Sequence, residues 1–391
     1  RFLIMSINSY TEFQPLNSLL VGSVFENSFF DDIANATIRE GLKEIVETAR
    51  EDIENFIRIL KDRNITIHQM SFKDLEFPDS IIKFTDKDGC IGKEEKYSWG
   101  YRNGLPDPPL CLRAHDIVMG KKILVTDNND YNSHILTRKY KQIFGDALVD
   151  TVINDKNICF KRSDVNIKFK INRMKLIDSD LDVDAERKKL VKVGLYGFCS
   201  PNLTRVGKTI LVDVWQTPNI IDELLKPHFP EYNFKKVFVN EHNENAFSVI
   251  RPGLVLASSW FKNNEKIFPK NWDIIWFDDN DWKNKYLDKL ELKRSNNGLL
   301  WYPEKKYNPK YEKFIDKWLK NKENLFDVKV LMLDENTCVV SAKSSYIIKE
   351  LEKRNIEVLH IPFRNRYFWD CGWHSNTLDI NREGDLEDYG L

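Results

Sequence analysis

Hydrophobic positions along the chain change their spacing in a recurring order. Leu19–Val21 is a short apolar run of the kind that forms a buried strand. From Leu42 to Leu60, apolar residues recur every three or four positions with Glu, Lys and Arg between them, which predicts a long amphipathic helix. Ile65–His68 then reads as a second strand. The beginning of the chain therefore predicts a strand–helix–strand unit.

The same order of elements recurs four more times. Gly120–Val125 and Gly207–Val212 share the pattern G-K-x-I-L-V, and each leads into a predicted helix and a further strand. A fourth, weaker unit runs from Val249 to Phe277, and a fifth runs from Val330 to Ile361. Because one such unit cannot bury its own apolar face, five of them favour radial closure around a common centre.

Composition is that of an ordinary globular protein. The chain has 391 residues, of which 42% are hydrophobic and 30% charged, with a formal net charge of −1. This balance provides no basis for a nucleic-acid partner. A run of about 18 apolar residues, which a membrane span would need, does not occur. We predict a single domain over residues 1–391, with a charged surface insertion at about 278–325.

Cysteine usage bears on the cellular compartment and on metals. The six cysteines are widely spaced and never form C-x-x-C, and Arg1–Met5 is too short for a signal peptide, so we expect reduced thiols in a cytoplasmic protein. Cys371 and His374 form a lone C-x-x-H with no second pair, which argues against a zinc site. We expect neither a metal nor a cofactor.

One motif is misleading. Gly207–Thr209 resembles the end of a phosphate-binding loop, but that motif needs another glycine five positions earlier, where this chain has Asn202. The triplet also lies between two strand-like segments, whereas the motif joins a strand to a helix. We therefore predict no nucleotide binding there.

The richest cluster of chemical groups lies near the C-terminus. Trp373–Gly384 follows the predicted strand Glu357–Ile361 and brings His374, Ser375 and Asn376 side by side. Reactive residues are often carried by loops at strand ends. The structural alternative is a polar loop that covers the edge of the core.

Six short motifs follow one another along the chain: Tyr10–Leu16 with Val21–Gly22, Leu112–Ile117, Phe198–Gly207, His242–Gly253, Val330–Glu335 and Phe363–Gly384. Their order and spacing resemble those of the arginine:glycine amidinotransferases and their bacterial relatives. The family motifs read N-E-W-D-P-L…V-V-G, P-R-D-I, F-D-A-A-D-F-x-R-x-G, H-x-D-x-x-F…P-G, V-L-M-L-D-E and I-R-N…F-H-C. The resemblance implies the pentein fold, an α/β propeller of five ββαβ-like units around a pseudo-fivefold axis.

The resemblance also implies a function. Members transfer an amidino group from arginine, or a related guanidino compound, to a small amine, and they are often homodimers. The expected partners are thus a small amine or guanidine substrate and a second copy of the chain, with no nucleic acid and no membrane.

Site residues follow from the same motifs. Asp116 and His242 match the family, whereas Ser375 stands at the position of the nucleophilic cysteine and Asn202 at that of a guanidinium-binding aspartate. The resemblance implies catalytic roles for His242, Ser375 and Asp116. It implies substrate-binding roles for the following residues: Asn202, Glu244, Arg113, His374 and Asn376.

The departures change the chemistry that we expect. Amidino transfer begins with a thiolate that attacks the guanidinium carbon, and a serine hydroxyl needs a general base to do the same. His242 is one candidate base, and Glu244, two residues on, would share its face in a strand, which leads to a Ser–His–Glu hypothesis. Cys371, four residues before Ser375, is an alternative nucleophile, although such cysteines more often serve packing.

Two further interpretations stay open. One interpretation is an inactive or repurposed pentein that binds an amine, a guanidine or a protein partner, and the other is an enzyme with a different Ser375- and His242-dependent reaction. The double departure at Ser375 and Asn202 favours natural divergence, and a Ser375 engineered onto a natural Asn202 background is the alternative.

Overall fold

The computed structural model describes most, but not all, of the chain. The described residues are 7–31, 36–70, 110–126, 139–140, 142–144, 150–153, 198–214, 217, 219–239, 242–277, 328–341, 344–364, 366–369 and 371–391. The insertion expected at about 278–325 lies outside them, as does part of the helix predicted before Phe144.

Fifteen strands are described, and they form five separate sheets of three strands each. The strands are β1 (Leu16–Val21), β2 (Thr66–Gln69), β3 (Asp116–Met119), β4 (Lys122–Val125), β5 (Asp150–Ile153), β6 (Leu203–Val206), β7 (Thr209–Asp213), β8 (Asn233–Val237), β9 (Phe247–Arg251), β10 (Leu254–Ser258), β11 (Asp273–Phe277), β12 (Leu331–Asp334), β13 (Thr337–Val340), β14 (Glu357–His360) and β15 (Thr377–Arg382).

All five sheets share one plan. The first strand pairs antiparallel with the second, and the second pairs parallel with the third. The orders are β15-β1-β2, β3-β4-β5, β6-β7-β8, β9-β10-β11 and β12-β13-β14. The C-terminal strand β15 therefore completes the sheet of the N-terminal unit, so the two chain ends belong to one sheet.

The helices lie between the second and third strands or at the start of a unit. They are α1 (Ala36–Asp62), a π-helical segment Ile221–Leu225 that continues into α2 (Lys226–His228), α3 (Asn243–Ala246), α4 (Ser345–Glu352) and α5 (Arg366–Trp369). Short 3₁₀ segments occupy Asn27–Phe30, Leu112–Ala114, Ser200–Asn202 and Ser259–Ile267. Every helix in the described part of the chain is too short or too polar to cross a lipid bilayer.

The apolar face of α1 buries the turn that precedes β15. The ring of Phe56 stacks on that of Trp373 with 4.1 Å between centroids and an interplanar angle of 4°, and Phe363 packs on the same indole. Offset or stacked aromatic pairs of this kind add to the free energy gained from burial. The long helix thereby anchors the residues next to Trp373, which include His374 and Ser375.

Three expectations about local structure were wrong. The predicted units that begin at Gly120 and Gly207 lacked their first strands, because β3 and β6 are four-residue, fully buried strands that show no alternation of exposed and buried positions. His374, Ser375 and Asn376 lie in a turn as expected, but the polar segment that follows is not a loop, since Thr377–Arg382 forms β15. Residues 242–244 are not strand-like, because His242 caps the short helix α3.

The glycine of the misleading G-K-T triplet turns between two antiparallel strands. Gly207 has a φ of +62° and, with Lys208, connects β6 to β7. A glycine tolerates this left-handed backbone because it has no Cβ. The prediction that the triplet lies between strands is confirmed.

Polar contacts connect each sheet to the next. The bonds, in order around the five sheets, are Arg113 N to Ser375 O (3.2 Å), Arg205 Nη1 to Val118 O (2.9 Å), Asn243 Nδ2 to Leu211 O (3.1 Å), Ser248 Oγ to Val328 O (2.6 Å) and Arg382 Nη2 to Met332 O (2.8 Å). The last of these bonds returns to the sheet from which the series began.

Candidate active site

The predicted site residues are concentrated in one structural position of the repeat. Arg113, Asn202, Glu244 and Ser375 each lie in the short segment that immediately precedes the first strand of a sheet. Asp116 is the first residue of β3 itself. Residues far apart in sequence thus occupy equivalent places in neighbouring units, and hydrogen bonds between those segments bring them together.

Glu244 is the centre of a buried polar cluster. Its Oε1 atom accepts hydrogen bonds from Ser375 Oγ at 3.0 Å and from Lys329 Nζ at 2.8 Å. Its Oε2 atom lies 2.8 Å from His374 Nδ1. We call Glu244, Lys329, His374 and Ser375 the carboxylate cluster. All four residues are buried.

The charge state of Glu244 limits what Ser375 can do. Burial by itself would raise the pKa of Glu244, but the charge of Lys329 and the hydrogen bond and charge of His374 outweigh it and hold that pKa well below its ordinary value. A carboxylate with so low a pKa is a weak base. It orients the Ser375 hydroxyl but cannot remove its proton effectively.

Glu12 extends the cluster on the other side of the imidazole. His374 Nε2 lies 3.4 Å from Glu12 Oε2, so the ring stands between two carboxylates. Burial would raise the pKa of Glu12, but His374 together with Arg205 and Arg113 lowers it below its ordinary value. Both carboxylates are therefore ionised near neutral pH.

A second group of polar side chains lies beside α3. His242 Nε2 is 3.3 Å from Cys199 Sγ, and both side chains are partly exposed. Asn202 Oδ1 lies 2.9 Å from the same sulphur and also accepts a hydrogen bond from the Cys199 backbone N–H at 3.1 Å. We call Cys199 and His242 the thiol–imidazole pair. The charge of His242 also lowers the pKa of Glu244, because the pair lies next to the carboxylate cluster.

Asp116 is fully buried at the beginning of β3. Its Oδ2 atom accepts a hydrogen bond of 2.6 Å from Tyr140 Oη. Burial and the neighbouring charge of Asp116 raise the pKa of Tyr140 well above its ordinary value, so the phenol remains a proton donor. The catalytic role of Asp116 stays a prediction.

Arg113 belongs to a buried ion network. Its Nη2 atom donates to Asp379 Oδ1 at 2.8 Å, and its Nε atom donates to the carbonyl oxygen of His374 at 3.0 Å. Arg205 and Arg382 donate to the other oxygen of Asp379 at 2.6 and 2.9 Å. Arg113 therefore holds the backbone of the site; its predicted contact with substrate stays untested.

Asn376 and Cys371 face each other in the core. Cys371 Sγ donates to Asn376 Oδ1 at 2.9 Å, and both side chains are buried. Burial, with the neighbouring Cys111 next, raises the pKa of Cys371 well above its ordinary value. A buried, protonated thiol is a poor nucleophile, which disfavours Cys371 as the substitute for the missing cysteine.

Sequence reasoning missed Cys199, Lys329 and Glu12. Cys199 occupies the first acidic position of the family motif F-D-A-A-D, and that departure was the available signal. Lys329 directly precedes the V-L-M-L-D-E motif, and Glu12 stands in the opening motif. Among the residues that the structure describes, no group of three or more histidines, cysteines and acids is arranged to hold a metal ion.

Comparison with known proteins identifies relatives of one kind. No model of a known protein family matches the chain. The mitochondrial glycine amidinotransferase of Xenopus tropicalis is 25% identical over 231 residues, which cover 55% of this chain and 47% of the relative. That of Danio rerio is 26% identical over 202 residues, 50% of this chain and 40% of the relative. The chain therefore spans less than half the length of these curated relatives.

Solved structures with the same fold cover the whole chain. SxtG, an amidinotransferase from Microseira wollei in the saxitoxin biosynthetic pathway, has a TM-score of 0.60 and 17% identity over 98% of this chain and 99% of that one. The inosamine-phosphate amidinotransferase of Streptomyces griseus has a TM-score of 0.59 and 14% identity over 99% and 100%. The relatives in sequence and the neighbours in structure are amidinotransferases, so the chain is similar to that family in sequence and has the fold of its solved members.

Proposed function

We propose that this protein transfers an amidino group from arginine, or a related guanidino compound, to a small amine. The observation that carries the proposal is the meeting of His242 and Glu244, from one short helix, with Cys199 and Ser375 from two other sheets. An imidazole that shuttles protons, a nucleophile-type group and ionised carboxylates are the parts that amidino transfer needs.

The proposal includes the arrangement of the five sheets around a pseudo-fivefold axis. It is supported by the common strand order of the sheets and by the closed series of contacts between them. In such an arrangement the segments before the five first strands would surround the axis, which is where we place the substrate.

Each polar group then has a distinct task. The ionised carboxylates of Glu244 and Glu12 favour a cation beside the cluster through their charge, while the Glu244 oxygens stay bonded to Lys329, Ser375 and His374. The neutral Asn202 contributes hydrogen bonds without charge. Asp116, fixed by Tyr140, is a third carboxylate for the guanidinium.

Three predicted substrate residues are assigned supporting tasks. His374 bridges Glu12 and Glu244, Arg113 fixes the His374 carbonyl, and Asn376 accepts a hydrogen bond from Cys371 that holds the turn. Ser375 orients Glu244 through its hydroxyl, since that carboxylate is too weak a base to activate it.

The test is a transfer assay with a matched pair of histidine variants. The protein is incubated with arginine and with glycine or lysine, and ornithine is measured by mass spectrometry. We expect ornithine with the wild type, and a loss of about 10²–10⁴-fold in His242→Ala, because a general acid–base group contributes on that order.

His228→Ala is the control for the assay. His228 is an exposed imidazole on α2 and should be replaceable without effect. Wild-type protein that binds arginine in a thermal-shift assay but releases no ornithine would contradict the proposed transfer and identify a binding protein. Equal activity of His242→Ala and wild type would contradict the role of the imidazole.

A further inference from the structure

Cys199 has the surroundings of a reactive thiol. Its sulphur lies 3.3 Å from His242 Nε2, close enough for proton transfer to the ring, and it is partly exposed. Reactive cysteines are typically found beside an imidazole in partly exposed positions, because the imidazole takes the thiol proton and stabilises the thiolate.

The other two candidates for the nucleophile lack these surroundings. Ser375 donates its hydroxyl to a carboxylate that is a weak base, and Cys371 is buried with a raised pKa. A serine attack would need a base of ordinary strength, and a buried thiol would need an ionised form that its surroundings disfavour.

The geometry points to Cys199 as the residue that carries the amidino group, with His242 as its proton acceptor and donor. This inference rests on the proposed amidino transfer and names the covalent step of that same site. It moves the nucleophile from the turn before β15, where Ser375 stands, to the turn before β6.

The identity of residue 202 supports this assignment. Asn202 Oδ1 lies 2.9 Å from the Cys199 sulphur. An aspartate at this position would place a negative charge beside the sulphur and raise the free energy of the thiolate. The neutral asparagine accepts the thiol proton of the resting Cys199 through Oδ1 and adds no negative charge beside the sulphur when that proton leaves. The two departures from the family pattern, Asn202 and Ser375, therefore both fit a nucleophile at Cys199.

The thiol and the imidazole are held in place from both sides. Asn243, the residue after His242, donates through Nδ2 to the Asn202 carbonyl at 3.0 Å and to the Leu211 carbonyl at 3.1 Å. The Asn202 backbone N–H donates to the Cys199 carbonyl at 3.0 Å. These bonds connect α3 to the 3₁₀ turn and fix the distance between the reacting groups.

The first half of the reaction forms a thioether-like bond to carbon. The Cys199 proton passes to His242, and the sulphur electron pair forms a bond to the guanidinium carbon of the donor. The bond from that carbon to the alkyl-bearing nitrogen breaks. Its electron pair stays on the nitrogen, which takes the proton from His242 and leaves as a neutral amine. Cys199 now carries an S-amidino cation.

The second half returns the enzyme to its starting state. A neutral acceptor amine attacks the same carbon and transfers one proton to His242. The carbon–sulphur bond then breaks with its electron pair returning to sulphur, and the thiolate recovers the proton from His242. The net change is the donor amine and the amidinated acceptor, with no oxidant or further reactant.

The first experiment measures alkylation of each cysteine with two small probes. One is 2-chloroacetamidine, a cation, and the other is chloroacetamide, its neutral analogue with the same leaving group. Modified peptides are quantified over time by mass spectrometry. We expect Cys199 to react with both probes at least about tenfold faster than Cys111, which is also partly exposed but contacts the Trp369 carbonyl at 3.7 Å.

Variants separate the pair from its surroundings. In His242→Ala the advantage of Cys199 should disappear for both probes, whereas His228→Ala should keep it. If Cys199 reacts no faster in wild type than in His242→Ala, the inference is overturned.

The two probes also separate this inference from the proposed function. A preference of Cys199 for the cationic probe, competed by arginine, supports both. Fast, His242-dependent reaction with no preference between the probes supports the thiol–imidazole pair and contradicts a guanidinium site. Arginine binding in the absence of reaction at Cys199 supports the site and overturns the nucleophile.

The second experiment traps the intermediate. Wild-type protein is incubated with arginine without an acceptor, and its peptides are examined for the mass of one added amidino group. We expect the group on the peptide that contains Cys199, and we expect transfer to be lost in Cys199→Ala but retained in part in Ser375→Ala. An amidino group on Ser375, or full transfer by Cys199→Ala, would overturn the inference.

Discussion

The carboxylate cluster and the thiol–imidazole pair lie side by side and differ in how their polar atoms are occupied. In the cluster, both oxygens of Glu244 have partners and every member is buried. In the pair, Cys199 and His242 face each other with part of their surface in solvent. The charges of the carboxylate cluster compensate one another, whereas the thiol–imidazole pair is accessible to a reagent from solvent.

This contrast indicates which surroundings favour a reactive side chain in this protein. Ser375 occupies the position that the family uses for its nucleophile, but its hydroxyl is bonded to a carboxylate that cannot take its proton. Cys199 and Cys371 each lie 2.9 Å from an asparagine oxygen, yet only Cys199 combines exposure with an imidazole. The reactivity of a side chain therefore depends less on its position in a motif than on the base next to it and on how deeply it is buried.

The largest effect that we predict tests the compensated charges of the cluster. Lys329→Met should lower the free energy of unfolding by about 3–5 kcal/mol, because it leaves the buried carboxylate of Glu244 without its main cation. Urea unfolding followed by circular dichroism measures the loss. Lys226→Met, which removes a solvent-exposed partner of Asp222, is the control and should change stability little. A small loss for both variants would mean that Glu244 is not held by Lys329.

Glu244→Gln probes the same ion pair from the other side and adds a dependence on pH. The folded-state pKa of Glu244 lies below the unfolded value near 4.5, so its charge stabilises the fold above that pH and the stabilisation is lost as the pH falls towards the folded-state pKa. At pH 7 the variant should be less stable than wild type by about 3–5 kcal/mol. The difference should narrow as the pH falls below about 4.5.

Urea unfolding from pH 7 to pH 3 checks this dependence. Glu352→Gln, at an exposed helix position, should keep the wild-type profile. A difference that stays constant over the whole range would contradict the lowered pKa of Glu244.

Ser375→Ala should have a smaller effect on stability. The variant loses one hydrogen bond to a charged group, which costs about 1.5–3 kcal/mol when the other partners remain. Urea unfolding at pH 7 provides the value. Stability equal to wild type would indicate that the Ser375 hydroxyl does not support Glu244.

The smallest stability change should be at Cys199. Cys199→Ala should lower the free energy of unfolding by less than about 1 kcal/mol, because the side chain is partly exposed, whereas Cys371→Ala, in the core, should cost about 1–3 kcal/mol. Urea unfolding of the two variants distinguishes a thiol that contributes little to stability from a thiol that packs in the core. A larger loss at Cys199 than at Cys371 would reverse that assignment.

Much of the architecture could be predicted from the chain itself. The helical spacing of Leu42 to Leu60 predicted α1, and the two G-K-x-I-L-V segments predicted equivalent strands in two units, which in the structure are the second strands β4 and β7 of their sheets. The first strands β3 and β6 were missed because they are short and buried on both faces, so their sequences carry no alternation. The strand nature of Thr377–Arg382 was missed because its polar residues, among them Asp379, are buried by ion pairs.

The amino-acid sequence alone was enough to predict α1, most of the second and third strands, the fivefold repetition of the unit and the resemblance carried by the motifs, because local spacing and short motifs are properties of neighbouring residues. The contacts of Cys199 with His242 and of Ser375 with Glu244 became visible only in the folded chain. Those partners are 43 and 131 positions apart along the chain, and the burial and charge around them depend on every sheet that packs there. A side chain's proton affinity is set by these distant neighbours, so reactivity could not be read from the motif that contains it.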